Sequence, residues 1–241
     1  MSTYDKLAQF PVVAVIPIRA GSRGLPNKNI RLLLGAPLFQ HSVDFAKRLG
    51  VDRIIVSTDI PEKDLHLRDE SVDVVSRPRE LCTDDAQMDD VLLHIVTQDI
   101  REKSTVILLQ ATSPLRPLSD ATEGLKLLYS GSYDVVFPVK EVNRKVLKWG
   151  LRSGDEFVPL RTSNDCFENR QRLPPVYQAA SGMYLFFSHW LRAERRLSAG
   201  RLGCVSTANP AAVDIDTLED WETVESQAIA KQHYADPKSD S

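Results

Sequence analysis

The apolar residues of this chain collect into short unbroken runs, and the stretches between them carry helical periodicity. Val12–Pro17 (VVAVIP) has no polar position, the pattern of a strand covered on both faces. Arg53–Ser57 (RIIVS) and Thr105–Gln110 (TVILLQ) repeat it. Asp134–Val139 (DVVFPV) does so up to its proline, and Met183–Phe187 (MYLFF) reads as a late strand rich in aromatics. Pro37 opens a helix and Gly50 closes it, with Leu38, Ser42, Phe45 and Leu49 on its inner face. A second helix carries the stripe Val91, Leu92, Ile95, Val96. A third runs from Ser119 as N-cap to about Gly131. The last follows Thr217-Leu218-Glu219-Asp220, a capping box with Thr217 as N-cap, and turns Leu218, Trp221, Val224 and Ala228 inward. Strands alternating with helices predict an α/β protein with a mainly parallel sheet. The tail Asp236–Ser241 is expected to fray.

Lys140–Pro175 breaks the alternation. It is polar, carries Trp149, and is long for a plain loop, which predicts a projecting arm or a surface insertion. The remaining bulk properties narrow the field. A length of 241 residues suits one large α/β domain or two small ones, the first being favoured, and 42% hydrophobic with 26% charged residues is ordinary globular composition. A net charge of −3 argues against a general nucleic-acid or membrane-surface binder. Cys82, Cys166 and Cys204 are odd in number and widely spaced, which fits neither a disulfide framework nor a zinc site and favours a reducing cytosol. No run reaches transmembrane length, and Met1–Pro11 has no leader pattern.

Candidate chemistry concentrates after the first strand, in Pro17-Ile18-Arg19-Ala20-Gly21-Ser22-Arg23-Gly24-Leu25-Pro26-Asn27-Lys28-Asn29. A loop there lies at the carboxyl edge of the sheet, where open α/β folds bind ligands. Gly21 and Gly24 let backbone N–H groups approach an anion. No acid occurs between Asp5 and Asp44, whereas lysine and arginine occur five times. That one-sided run points to a polyanion such as a triphosphate. Neither G-x-x-x-x-G-K-[ST] nor G-x-G-x-x-G is present, so P-loop and dinucleotide readings lose support. The spacing alone also allows a glycine turn with solvated arginines.

This loop resembles the N-terminal signature of the acylneuraminate cytidylyltransferases, the CMP-sialic acid synthetases, which reads roughly A-R-x-G-S-K-G-[LI]-P-x-K-N. The resemblance continues in order through IIVSTD (Ile54–Asp59), RPREL (Arg77–Leu81), LLQATSPLR (Leu108–Arg116), RQRLPPVY (Arg170–Tyr177) and VDIDTLEDW (Val213–Trp221). It implies a Rossmann-like nucleotide-diphosphosugar-transferase fold, with a mixed, mainly parallel sheet and an arm at about 140–175 that serves a homodimer. It implies a cytosolic enzyme that joins CTP to an acidic 2-keto-3-deoxy sugar and releases pyrophosphate.

Carried over position by position, the resemblance places Arg19 and Lys28 on the phosphates, with Ser22 and Arg23 in the same cradle. Asn29 and Arg77 match nucleoside contacts. Met88 stands where the family often has a serine. Gln110 matches an acceptor contact, Ser113 and Arg116 belong to its block, and Arg170 matches an arginine near the sugar pocket. Arg116 is equally suited to closing its loop on backbone. Tyr177–Tyr184 departs from the family's Y-R-x-N-G-A-[IF]-Y: a charge and an amide are gone, leaving Gln178 and Ser181 as candidate acceptor contacts. The acceptor is therefore open among sialic, legionaminic, pseudaminic and other acid sugars. A Kdo-type enzyme and a non-catalytic nucleotide binder are the rivals.

Asp214 and Asp216 are the candidate metal ligands. Residues i and i+2 of an extended stretch share one side, about 6.6 Å apart along the chain. Two such carboxylates repel by about 3 kcal/mol at an effective dielectric of 20. A divalent cation such as Mg²⁺ removes that repulsion and bridges to phosphate. Two solvated acids, one favouring the next helix N-terminus, are the alternative. Arg19, Lys28, Asp214 and Asp216 form the expected catalytic set. None of the five histidines falls in a matched block.

Overall fold

The computed structural model describes residues 10–21, 24–209 and 213–235. Ser22, Arg23 and the tail 236–241, on which expectations were placed, lie outside the described residues.

In chain order the strands and helices are β1 (Val12–Pro17), β2 (Leu32–Leu33), β3 (Ala36–Pro37), α1 (Leu38–Leu49), β4 (Arg53–Thr58), α2 (Glu62–Leu65), β5 (Asp73–Ser76), α3 (Met88–Gln98), β6 (Thr105–Leu109), α4 (Leu118–Tyr129) and β7 (Val135–Val142). They continue with β8 (Gly150–Ser153), β9 (Glu156–Pro159), α5 (Ser163–Phe167), β10 (Val176–Ala179), β11 (Met183–Phe187), α6 (Ser188–Glu194), β12 (Leu202–Ser206) and α7 (Leu218–Ala235). The main sheet runs β10-β7-β11-β6-β1-β4-β5, with β12 also on β7. The pairs β1–β4, β1–β6, β4–β5 and β7–β12 are parallel, while β11 runs antiparallel to both β6 and β7. The sheet is thus mixed and mainly parallel, as expected.

The unbroken apolar runs follow from cover on two faces. Ala14 and Ile16 of β1 pack with Phe39, Val43 and Phe45 of α1 and Leu125 of α4. Val13 and Val15 point the other way, toward Val91, Leu92, Ile95 and Val96 of α3 and Leu191 of α6. The expected inner faces of α1 and α3 are buried throughout. Gly50 closes α1 in the left-handed region, where glycine carries no Cβ penalty.

Two boundary expectations and one burial expectation need correction. Ser119 lies inside α4, whose N-cap position is Pro117, because proline at the entrance already sets the extended conformation there. Pro138 does not end its strand: β7 continues to Val142, and the Pro138 carbonyl accepts from the Ala180 N–H at 2.9 Å. Leu218 is exposed, whereas Trp221, Val224 and Ala228 are buried. The Thr217 cap itself forms as expected, with the Asp220 N–H donating to the Thr217 hydroxyl at 3.2 Å and the Thr217 N–H to the Asp220 carboxylate at 2.8 Å. The Thr217 hydroxyl, the Thr217 N–H and the Asp216 N–H all donate to the Asp220 carboxylate and hold it below its usual range.

Two features of the sheet shape the site. β10 and β11 flank β7 as one strand with a slip: Ala179 pairs Val139 and Leu185 pairs Val136, so six residues on one side oppose three on the other. The extra residues form a bulge at Ala180–Gly182, with positive φ at Ser181 (63°) and Gly182 (46°). Between β7 and β10 the chain forms a β8–β9 hairpin followed by α5. Trp149, Leu151, Phe157, Val158, Leu160 and Phe167 are all exposed on it.

Candidate functional site

A cleft of ≈ 330 Å³ opens where the loops after β1, β5 and β6 meet the stretch before α7. It is lined by Arg19, Gly24, Lys28, Asn29, Arg77, Met88, Gln110, Thr112 and Asp216, among others. Seven of the expected site residues therefore converge there from four separated blocks of sequence.

The cradle after β1 is built by its own acceptors and by acids from elsewhere. The Asn29 amide donates to the Arg19 carbonyl at 3.0 Å, and the Asp59 carboxylate accepts the Ala20 N–H at 2.8 Å. Arg19 donates to the Cys82 carbonyl at 3.4 Å and is ion-paired with Asp84. The Lys28 amine is buried and donates to the Ile215 carbonyl at 2.6 Å and to Asp216 at 2.9 Å. The loop is one-signed along the chain, yet space brings Asp59, Asp84 and Asp216 to it. Neither Asp59 nor Asp84 was singled out from the sequence, since each lies many residues away from the loop it serves.

Gly24 has a second reason to be glycine. A Cβ there would collide with the backbone carbonyl of Asp216, so the close approach is made by the chain itself. Gly21, at φ 71°, is the turn residue and does not line the cleft.

Ile215 organises the two acids. Its side chain is fully buried with Leu25, Leu33, Leu38, Trp221 and Val224. Its N–H donates to the Thr112 carbonyl at 2.9 Å, and its carbonyl receives Lys28. With Ile215 turned inward, Asp214 and Asp216 both face outward, as the i, i+2 pattern predicts. The Ser113 hydroxyl donates to Asp214, tying the loop after β6 to this stretch.

Arg77 faces the cleft while its guanidinium holds Ser57, through the backbone carbonyl at 2.7 Å and the hydroxyl at 3.3 Å. Burial lowers its pKa from the usual arginine value. Arg116 does close its loop on backbone: Nε donates to the Ser181 carbonyl at 3.0 Å, Nη1 to the Ser42 hydroxyl at 2.9 Å, and Nη2 to the Gln110 carbonyl. Burial pushes it down to about 9, with Asp214 working the other way, which leaves it charged at neutral pH.

Four of the five expected acceptor contacts do not line this cleft. Ser113 is buried with its hydroxyl on Asp214. Arg170 lines a separate surface cleft with Glu141 and Arg144. Gln178 is exposed on β10. Ser181 is buried, and its hydroxyl donates to Asp120 at 3.0 Å.

An α/β sheet with helices on both faces and a cationic cleft at its carboxyl edge defines a nucleotidyltransferase-like class. Solved structures agree on the fold. CMP:2-keto-3-deoxy-manno-octonic acid synthetase complexed with CTP superposes with a TM-score of 0.68 at 18% identity, over 92% of this chain and 99% of that one. A 4-diphosphocytidyl-2C-methyl-D-erythritol synthase gives 0.64 at 13%, over 91% and 99%. The sequence profile described as cytidylyltransferase matches residues 13–189, and the chain belongs to the cytidylyltransferase family. Among its relatives is the CMP-N,N'-diacetyllegionaminic acid synthase of Legionella pneumophila, 38% identical over 227 residues, which are 89% of this chain and 94% of that protein. An N-acylneuraminate cytidylyltransferase of Streptococcus agalactiae serotype V is 29% identical over 212 residues, covering 87% of this chain; the chain spans about half (51%) of that relative's length.

Proposed function

We propose that this chain transfers CMP from CTP to the anomeric hydroxyl of a nonulosonic acid and releases pyrophosphate. The observation that carries the reading is the convergence of Arg19, Lys28, Asn29, Arg77, Gln110 and Asp216 on one cleft, in a member of the cytidylyltransferase family. The sugar hydroxyl attacks the α-phosphorus, the bond from that phosphorus to the bridging oxygen breaks, and the hydroxyl proton passes to solvent. Arg19 and Lys28 exchange their carboxylate partners for phosphate oxygens, and with Ser22, Arg23 and Gly24 they hold the triphosphate, while Gly21 shapes the turn. Asn29 and Arg77 flank the nucleoside. Gln110 and Ser113 face the acceptor. Arg170, Gln178 and Ser181 lie outside this cleft, and the reading does not depend on them.

Asp214 and Asp216 are assigned to a divalent cation, Mg²⁺ by preference. The donor set fits. Two outward carboxylates share one side of the chain, and one of them already holds a cation, Lys28. Among the described residues no cluster of three or more ligating side chains occurs, so phosphate oxygens and water would complete the shell of a Mg²⁺ held by these two acids. When bound, the cation offsets charge on the triphosphate and leaving group.

The acceptor to test first is a legionaminic-type acid, because the relative covering nearly the whole of both chains bears that name. The exposed apolar side chains of 140–175 are assigned to pairing with a second copy of the chain. No helix among the described residues is long and apolar enough to cross a membrane. With CTP as co-substrate, the reaction belongs to the cytoplasm.

The test is pyrophosphate release with CTP and Mg²⁺, across N,N'-diacetyllegionaminic, N-acetylneuraminic, pseudaminic and Kdo acids, with ATP, GTP and UTP as controls. Release with CTP and a nonulosonic acid is expected. Release with Kdo alone moves the assignment to that acceptor class. CTP binding with no release on any acid overturns the catalytic reading in favour of a nucleotide binder.

A further inference from the structure

Three segments carry the acceptor-side groups: the loop after β6 with Gln110 and Ser113, the bulge Ala180–Gly182, and the stretch after β12 that leads to Asp214. One buried carboxylate ties the last two together. Asp120, in the first turn of α4, accepts the Ser181 hydroxyl at 3.0 Å and the Thr207 hydroxyl at 2.6 Å on Oδ2, and the Ala208 N–H at 3.0 Å on Oδ1. The bulge in turn fixes the first segment. The Gly182 carbonyl accepts the Gln110 N–H at 2.8 Å, and a Cβ on Gly182 would strike Ser113 and Gln110. Arg116, one turn before Asp120, grips the same bulge through the Ser181 carbonyl.

A bulge interrupts the ladder that would otherwise set its shape. Ser181 and Gly182 both sit at positive φ, so tethers from outside the strand must hold them. We propose that Asp120 is a positioning residue of the acceptor site: it locks the bulge to the β12 exit, and thereby sets where Gln110 and Ser113 are presented. The proposal rests on the cytidylyl-transfer reading for its kinetic consequence, but not for its structural one.

The chemistry of the tether supplies the test. Alanine leaves two buried hydroxyls and one N–H without their acceptor. Asparagine keeps an oxygen for Ala208, and its amide donates to hydroxyls that turn to accept. Asp120→Ala is expected to raise the KM for the acceptor acid about tenfold, to leave the KM for CTP within about twofold, and to be rescued by Asp120→Asn. Equal changes in both KM values, or an asparagine variant as poor as alanine, overturn the proposal. Amide exchange reads the tether without turnover. Exchange at Ala208 and Gln110 is expected to quicken about tenfold in Asp120→Ala while β1 and β4 keep their rates. Unchanged exchange at both sites overturns the proposal even if the wild type transfers nothing. Absence of transfer with altered exchange removes only the catalytic reading. If Asp120→Ala does not fold, Thr207→Val removes a single donor, and a rise of about threefold in acceptor KM alone is expected; no rise overturns the proposal.

Discussion

Lys28 and Arg116 are both buried cations near one cleft, but what surrounds them differs. Lys28 meets one backbone carbonyl and an acid that is itself largely in solvent, with 77% of the Asp216 side chain exposed. Arg19 likewise meets Asp84 at the cleft mouth. Arg116 meets two backbone carbonyls and a hydroxyl, and lies over the Phe45 ring at 5.5 Å. The first kind of partner can be exchanged for a phosphate at small cost, because water stabilises the released carboxylate. The second kind cannot, since a displaced backbone carbonyl would stay buried and unpaired. A charged residue close to a site thus serves binding or framework according to whether its partner has somewhere to go.

Substitutions on the two sides should break in different ways. The largest effect is expected at the framework. Arg116→Met leaves the Ser181 carbonyl without its donor and the Gln110 carbonyl with only the Ser113 N–H, and should cost about 3–5 kcal/mol in urea unfolding. A loss below about 1 kcal/mol would put Arg116 with the exchangeable group. Next come the outward acids. Asp214→Ala and Asp216→Ala should each lower turnover at least about tenfold while the urea midpoint stays near wild type. Near-normal turnover at saturating Mg²⁺ would remove them from the catalytic set. The smallest effect sharpens the picture at the cleft mouth. Asp84→Asn frees Arg19 for phosphate and should lower the KM for CTP about twofold at low ionic strength, an advantage that fades in about 0.5 M salt.

The fold was legible because its causes are local. A run such as VVAVIP needs cover on both faces, and α1 and α3 supply the matching stripes. The outward turn of Asp214 and Asp216 was legible for the same reason, since alternation is a property of extended chain. The partners of the cradle were not. Arg19 meets Asp84 and Lys28 meets Asp216 across 65 and 188 residues, and no local pattern marks such pairs. The second constraint on Gly24 was hidden too: a glycine in a phosphate-like loop already has a reason to be there, and the collision with Asp216 is seen only in space. Ser181 was read as an acceptor contact from its block, but its hydroxyl turns inward to Asp120 because the slip between β10 and β11 rotates it off the strand pattern. A slip of that kind leaves little trace in composition beyond one glycine.

The same three-residue slip has a bearing on how such a chain can diversify. β10 pairs the far end of β7 and β11 its start, so an unbroken return strand would tie the register at one end to the register at the other. Ala180–Gly182 acts as an expansion joint. Insertions or deletions between 143 and 175 alter the reach and surface of the outer segment, while the strand restarts at Met183 in the pairing that β6 dictates.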